Sequence, residues 1–182
     1  MGKGAVFFDR DGIANRSPGP GYVTSAAQFH VRPEFVEAVR VATAKGWPCV
    51  IVSNQKGVGT GATPVAELEA MHEKLRQALA EAGLELLDIL ACTSTDNANP
   101  DRKPNPGMLL RAAARHGLDL AASWMIGDRE RDVKTGLNAG VAVTVRVDDD
   151  GTDAPPEAGT PTQATYLLDS MSQLAPLLEK RL

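Results

Sequence analysis

Short apolar runs alternate with longer amphipathic stretches along the chain. Each run is followed by polar or glycine-rich residues, which is typical of strands that are buried on both faces of a parallel sheet. Five such strands are predicted, and a short sixth strand follows near the end of the chain: 5–8, 48–52, 86–92, 123–126, 141–147 and 164–168.

Between these runs, apolar residues recur at the spacing of amphipathic helices. Helices are predicted at 34–45, 64–82, 106–116 and 170–182, and another helix begins within 127–132. Thr63 and Asn105, each followed by a proline, are expected to cap the second and third of these helices. Strands that alternate with helices at short spacing predict parallel β-α units with right-handed crossovers, and therefore a three-layer α/β fold.

Composition and charge narrow the class of protein. The length of 182 residues suits one domain over 1–182, and the net charge of −4 gives no support for broad contact with nucleic acid or an anionic membrane. No apolar run approaches a membrane span and no secretory signal pattern is present, so a cytoplasmic location is expected. Cys49 and Cys92 are expected at opposite ends of neighbouring strands, so no disulfide between them is expected. The acidic, proline- and glycine-rich stretch 148–162 is expected to be a mobile loop.

Unusual polar residues follow four of the predicted strands. They are Asp9 and Asp11 after the first strand, Ser53 and Asn54 after the second, Arg102 and Lys103 after the third, and Asp128 and Asp132 after the fourth. Two carboxylates at the end of a buried strand repel each other, and stability gives no reason for them. Because ligands bind at the carboxyl ends of parallel strands, these clusters predict one site.

The residue types in these clusters suit the hydrolysis of a phosphate monoester. Asp9 and Asp128 can hold Mg²⁺, which prefers oxygen ligands and offsets the repulsion between a carboxylate and a phosphate. One carboxylate can then attack phosphorus, and a second can protonate the leaving alcohol and later activate water. Lys103 and Ser53 can neutralise and orient the phosphoryl oxygens.

These residues also resemble the motifs of the haloacid dehalogenase superfamily of phosphatases, over nearly the whole chain. The motifs are Phe8-Asp9-Arg10-Asp11-Gly12, Ser53 in Val52-Ser53-Asn54-Gln55, Lys103 in Arg102-Lys103-Pro104, and Gly127-Asp128 with Asp132. The resemblance implies a Rossmann-like sheet of order 5-4-1-2-3, with Asp9 as nucleophile and Asp11 as general acid and base. It also implies Mg²⁺ bound by Asp9, the Asp11 carbonyl and Asp128, with Asp132 in support.

Four finer motifs are Asp-Arg-Asp-Gly at 9–12, Gly-Tyr-Val at 21–23, Ser-Asn-Gln at 53–55 and Arg-Lys-Pro-x-Pro-Gly-Met at 102–108. They are similar to those of the family of heptose bisphosphate phosphatases and histidinol-phosphate phosphatases. That family has no cap domain, and neither insertion point here is long enough for one. The resemblance implies that loops select the substrate, and it assigns that role to Gly19, Pro20, Gly21, Tyr22, Asn54, Gln55, Lys56 and Arg102.

One departure from that family concerns zinc. Many members carry a Cys-x-His and Cys-x-Cys loop before Arg-Lys-Pro, whereas only Cys92 survives here, followed by Ser94, Asn97 and Asn99. A single thiolate cannot form a tetrahedral zinc site, so no structural zinc is predicted.

Two other functions fit these residues less well. A receiver-type signalling module would carry its phosphoacceptor Asp after the third strand, where this chain has Cys92-Thr93. The phosphatase domain of DNA 3′-end repair enzymes shares similar motifs, but the acidic balance and the lack of a basic, aromatic groove argue against it. A small sugar phosphate such as D-glycero-D-manno-heptose 1,7-bisphosphate fits best and histidinol phosphate second. Neither nucleic acid nor membrane is expected as a partner, and the assembly is expected to be a monomer or a small homo-oligomer.

Overall fold

Six parallel strands form one sheet in the computed structural model, which describes residues 2–19, 21–149 and 162–182. The strands are β1 Val6–Phe8, β2 Cys49–Asn54, β3 Asp88–Cys92, β4 Trp124–Gly127, β5 Val143–Val147 and β6 Tyr166–Leu168. The helices are α1 Pro33–Ala44, α2 Lys56–Gly59, α3 Val65–Glu81, α4 Gly107–His116, α5 Glu130–Ala139 and α6 Leu174–Arg181. Short 3₁₀ turns lie at Ala26–Gln28, Leu120–Ala122 and Met171–Gln173.

The strand order places the ends of β1 and β4 side by side. The order across the sheet is β3-β2-β1-β4-β5-β6, so the predicted order is confirmed, with β6 added beside β5. Phe8 pairs with Ile51 of β2 and with Ile126 of β4. The residues that follow these three positions therefore meet at one edge of the sheet.

Apolar side chains fill both faces of the sheet, as a three-layer fold requires. Val6 and Phe8 point to a core shared with α1, α3 and α6, and Phe8 meets Phe35 of α1 edge-on at 5.3 Å between ring centroids. Phe7 points to a second core with Met108 and Leu109 of α4. The alternation of side chains along β1 thus anchors the strand between two helical layers.

Two predicted helix caps are wrong. The helix α3 begins at Val65 with Pro64 as its N-cap, and the backbone N–H of Thr63 instead donates to the carbonyl of Gly57. The helix α4 begins at Gly107, because the Asn105 side chain donates to carbonyls of the preceding loop rather than accepting from the helix.

The structure confirms the prediction for the two cysteines, whereas the predicted loop near the end of the chain is mostly not described. Cys49 and Cys92 are buried free thiols, at the first residue of β2 and the last residue of β3, which confirms that they form no disulfide. The loop expected at 148–162 falls largely outside the described residues. Within the described ranges, no helix combines the length and apolar composition of a bilayer-spanning segment.

Candidate active site

A tight turn directly after β1 presents the first two acidic residues. The carbonyl of Arg10 accepts the backbone N–H groups of Ile13, Ala14 and Asn15, which winds the chain back on itself. Gly12 has φ = +93°, and a Cβ there would lie 2.2 Å from the Asp128 carboxylate. Only glycine therefore lets the turn approach the end of β4 so closely.

Asp9 lies at the floor of the site with one carboxylate oxygen engaged. Its Oδ1 accepts the Arg10 backbone N–H at 2.7 Å and lies 2.8 Å from the Lys103 ammonium. Among the described residues, no hydrogen bond reaches Oδ2. Burial raises the pKa of Asp9 to about 6, with the negative charges of Asp132 and Asp11 adding to the effect and Lys103 opposing it.

Lys103 is a buried cation that joins two of the carboxylates. Its Nζ lies 2.6 Å from Asp132 Oδ1 and 2.8 Å from Asp9 Oδ1, and it also donates to the Val52 carbonyl at 3.1 Å. Burial alone would lower the pKa of Lys103, but the charges of Asp132 and Asp9 outweigh it and raise that pKa above its ordinary value. Lys103 therefore remains charged and partly neutralises the acidic site.

Asn54 fixes the loop that carries Lys103. Its side-chain amide donates to the Lys103 carbonyl at 3.0 Å and accepts the Lys103 backbone N–H at 2.9 Å. These paired bonds tie the end of β2 to the loop after β3. Both amide atoms of Asn54, a predicted substrate-binding residue, are thus engaged within the protein.

Asp9, Asp128 and Asp132 form an acidic cluster whose ligand atoms lie within 4.8 Å of one another. Burial raises the pKa of Asp128 well above its ordinary value, and the charges of Asp9 and Asp132 raise it further. Asp128 Oδ1 is buried and has no hydrogen-bond partner in the part of the chain that the structure describes. An orphaned carboxylate oxygen among hard oxygen donors fits Mg²⁺.

Asp132 differs from the other two members because both its oxygens are engaged. Oδ1 bonds to Lys103, and Oδ2 accepts the Arg129 backbone N–H at 3.1 Å at the start of α5. This pattern suits the supporting role that the sequence assigns to Asp132.

The carboxylate of Asp11 stands apart from the acidic cluster. Arg10 and Gln55 both donate to it, and the same Gln55 Nε2 lies 2.6 Å from Ser53 Oγ. The metal role predicted for Asp11 belongs to its backbone carbonyl, so the position of its carboxylate leaves that prediction untested.

A cavity of about 320 Å³ lies over these groups, bounded by Asp11 and Asp128. Every predicted substrate-binding residue that the structure describes lines it: Gly19, Gly21, Tyr22, Asn54, Gln55, Lys56 and Arg102. The remaining one, Pro20, lies outside the described residues. Asp9 lies beside Asp128, which lines the cavity, whereas Ser53 and Lys103 are buried next to Gln55 and Asp9.

The sequence analysis did not identify two arginines that line the cavity. Arg129 and Arg131 line it, together with Ser17, Pro18 and Val23. Their position in the sequence could have indicated them, because they lie between Asp128 and Asp132, where a helix begins at the predicted site. With Lys56 and Arg102 they bring four cationic side chains to one cavity, which suits an anionic ligand.

Comparison with known proteins agrees with this chemistry. Residues 20–136 match the family model described as haloacid dehalogenase-like hydrolase, and residues 101–174 match a model described as HAD-hyrolase-like. The D-glycero-beta-D-manno-heptose-1,7-bisphosphate 7-phosphatase of Pseudomonas putida is 32% identical over 171 residues, or 93% of this chain and 96% of the relative. The Escherichia coli K12 enzyme of the corresponding name is 32% identical over 187 residues, or 97% and 94%.

Solved structures agree as well. The D,D-heptose 1,7-bisphosphate phosphatase from B. bronchiseptica, complexed with magnesium and phosphate, has a TM-score of 0.86 at 27% identity and covers 98% of this chain and 99% of its own. A putative phosphatase of Mesorhizobium loti has a TM-score of 0.80 at 31% identity, covering 98% and 87%. This chain belongs to the haloacid dehalogenase-like hydrolase family, in which its named relatives are phosphatases.

Proposed function

We propose that this chain is a Mg²⁺-dependent phosphatase that hydrolyses a small phosphomonoester through an aspartyl phosphate at Asp9. The observation that carries the proposal is the acidic cluster of Asp9, Asp128 and Asp132, in which Asp128 Oδ1 is buried without a hydrogen-bond partner among the described residues. Asp9 can attack phosphorus while Asp128 helps to hold a cation.

Asp9, Asp128 and the Asp11 carbonyl would hold Mg²⁺, which supplies positive charge to a phosphoryl group that approaches an anionic carboxylate. Asp9 Oδ2 attacks phosphorus, and the bond to the leaving oxygen breaks as Asp11 donates a proton to it. Asp11 then takes a proton from the water that hydrolyses the aspartyl phosphate. Lys103 holds Asp9 in place throughout, and Ser53 orients phosphoryl oxygens.

The substrate that fits best is D-glycero-D-manno-heptose 1,7-bisphosphate. The relatives are named for that substrate, and four cationic side chains around the cavity suit its second phosphate. Histidinol phosphate carries a cationic amine in place of a second phosphate, so the same four side chains disfavour it. We further propose that residues 1–182 form one catalytic domain without a cap, acting in the cytoplasm as a monomer or small homo-oligomer.

Phosphate release from a panel of esters tests this function. Heptose 1,7-bisphosphate, histidinol phosphate and a 3′-phosphorylated oligonucleotide are each compared with Mg²⁺ and with EDTA. The bisphosphate is expected to have the highest kcat/KM, and Asp9→Asn is expected to lose turnover by several orders of magnitude. Turnover of Asp9→Asn equal to wild type would end the nucleophile assignment, and preference for the oligonucleotide would overturn the substrate class.

A further inference from the structure

Arg10 is a buried charge that the mechanism so far leaves without a role. It lies between Asp9 and Asp11, and it is among the largest side chains without solvent exposure. A buried guanidinium is costly unless its hydrogen bonds and charge are matched. The partners of Arg10 therefore indicate what it does.

The Arg10 guanidinium forms a fork of hydrogen bonds to both oxygens of the Asp11 carboxylate. Nη2 lies 3.0 Å from both carboxylate oxygens, and Nε donates to Oδ1 at 3.2 Å. On its other face, Cζ lies 5.4 Å from the centroid of the Phe29 ring, which holds the guanidinium plane in position. The turn also fixes the Arg10 carbonyl, so the backbone and the guanidinium of this residue are both held in place.

Gln55 holds Asp11 from a second direction. Its Nε2 donates to Asp11 Oδ2 at 3.0 Å, so two side chains together set the orientation of the carboxylate. Asp11 still lines the cavity. Asp11 is also absent from the acidic cluster, although it lies only two positions from Asp9. The hydrogen bonds from Arg10 and Gln55 thus keep the Asp11 carboxylate available to the substrate rather than to the cation.

Stability alone does not account for a guanidinium at this place. Arg10 Nη1 is buried without a hydrogen-bond partner among the described residues, and so is Nε2 of His72 on α3. Burial, followed by the positive charges of Arg10 and Arg76, lowers the pKa of His72 to about 4. An apolar side chain would leave no unsatisfied guanidinium donor and would remove one of the charges that lower the pKa of His72.

We propose that Arg10 is the positioning residue of Asp11, fixing its carboxylate where it protonates the leaving oxygen and later activates water. The proposal rests on the proposed function, because it assigns proton transfer to Asp11. In the first step the bond from Asp9 to phosphorus forms as the ester bond breaks, and the leaving oxygen takes the Asp11 proton. In the second step water forms the bond to phosphorus, the bond to Asp9 breaks, and a proton of that water returns to Asp11.

The test compares two esters that differ in their need for that proton. An alkyl phosphate requires protonation of its leaving oxygen, whereas p-nitrophenol leaves as a stable anion. Arg10→Lys keeps the charge but loses the fork. Arg32→Lys is the matched control, because Arg32 is also buried and also contacts the turn, at the Gly12 carbonyl, but has no bond to Asp11. Phe29→Leu is a second variant, which loosens the guanidinium without changing a residue of the cavity.

The expected result is selective. In Arg10→Lys, kcat/KM for the alkyl ester falls on the order of 100-fold, the scale of general acid catalysis, while kcat/KM for p-nitrophenyl phosphate changes by less than about threefold. Because hydrolysis of the aspartyl phosphate also needs Asp11, this variant releases p-nitrophenol in a burst stoichiometric with enzyme. Phe29→Leu shows a smaller loss in the same sense, and Arg32→Lys shows none.

Three outcomes overturn the proposal. An equal loss for both esters in Arg10→Lys and in Phe29→Leu would assign Arg10 a purely structural role, with the phosphatase function intact. The same selective loss in Arg32→Lys would assign the effect to the turn as a whole. Wild-type protein that hydrolyses neither ester with Mg²⁺ would overturn the proposed function, and this inference with it.

Discussion

Replacement of Asp9 by Asn is expected to stabilise the metal-free protein while abolishing its activity. Asp9 is buried beside Asp132 and the partly buried Asp128, and the ligand atoms of the three lie within 4.8 Å of one another. Burial raises its pKa from 3.8 to about 6. Because the folded-state pKa lies above the unfolded value, stability is lost as pH rises from 3.8 through 6, and the full cost is present at pH 7.5.

The magnitude follows from the two pKa values. At about 1.4 kcal/mol for each pKa unit, ionised Asp9 opposes folding by about 3 kcal/mol at neutral pH, to order of magnitude. Asn removes that charge but keeps an oxygen that accepts from Lys103 and from the Arg10 backbone N–H. Its amide group also offers a donor to the unpartnered Oδ1 of Asp128. We therefore expect Asp9→Asn to unfold with a free energy higher by about 1 to 3 kcal/mol.

Urea unfolding at pH 7.5 in EDTA measures this difference, with Asp169→Asn as a control at an exposed carboxylate. The control is expected to stay within about 0.5 kcal/mol of wild type. Added Mg²⁺ should stabilise wild type by mass action and Asp9→Asn much less. An Asp9→Asn protein less stable than wild type by more than about 1 kcal/mol would refute the reasoning, since the carboxylate would then stabilise the fold.

Three further predictions concern neighbouring features. Asn54→Leu removes both bonds to the Lys103 backbone, so we expect a loss of about 2 kcal/mol in urea unfolding and a fall in kcat; unchanged kcat would show that Lys103 needs no such support. Wild type should lose about 1 kcal/mol of stability between pH 7.5 and 5.5, and His72→Gln should remove that loss. The pKa of His72 is about 4 in the folded state and 6.5 in the unfolded chain, so only the unfolded chain takes up a proton in that window. Identical pH profiles of stability for the two proteins would contradict this. Purified protein should contain no stoichiometric zinc by mass spectrometry, and zinc that disappears in Cys92→Ser would overturn that expectation.

Much of the fold was predictable because each strand carries its own signal. The apolar runs at β1, β2 and β4 end in residues that a strand interior does not tolerate, so pattern and chemistry mark the same boundaries. The order of the strands came from the family resemblance instead, since a parallel sheet of this length admits several orders. The helix starts at α3 and α4 were misplaced because Thr63 and Asn105 bond to the residues before them, Gly57 of α2 and Asn99 of the preceding loop, rather than to the helix that follows.

The positions of the site residues were easier to predict than their contacts. Four strand ends identified Asp9, Ser53, Lys103 and Asp128 because topology alone brings them to one edge. The sequence held no sign that Arg10 turns inward to grip Asp11, because an arginine between two acids reads equally well as a solvated charge. The inward position of Arg10 depends on the ring of Phe29 and on Gln55, and only the fold brings these two residues close to it.

The three bonds of the Lys103 ammonium constrain how a substrate is captured. An ammonium has three N–H groups, and here they face Asp9, Asp132 and the Val52 carbonyl. A phosphoryl oxygen that binds Lys103 must displace one of them, and the Val52 carbonyl is both the most distant and the only uncharged acceptor of the three. On the proposed function, capture would be an exchange of acceptors, in which the incoming oxygen competes with a peptide carbonyl. Dianionic monoesters would win that competition more readily than diesters or sulfate esters, whose oxygens carry less charge, and Lys103 would then contribute to the choice of ester class.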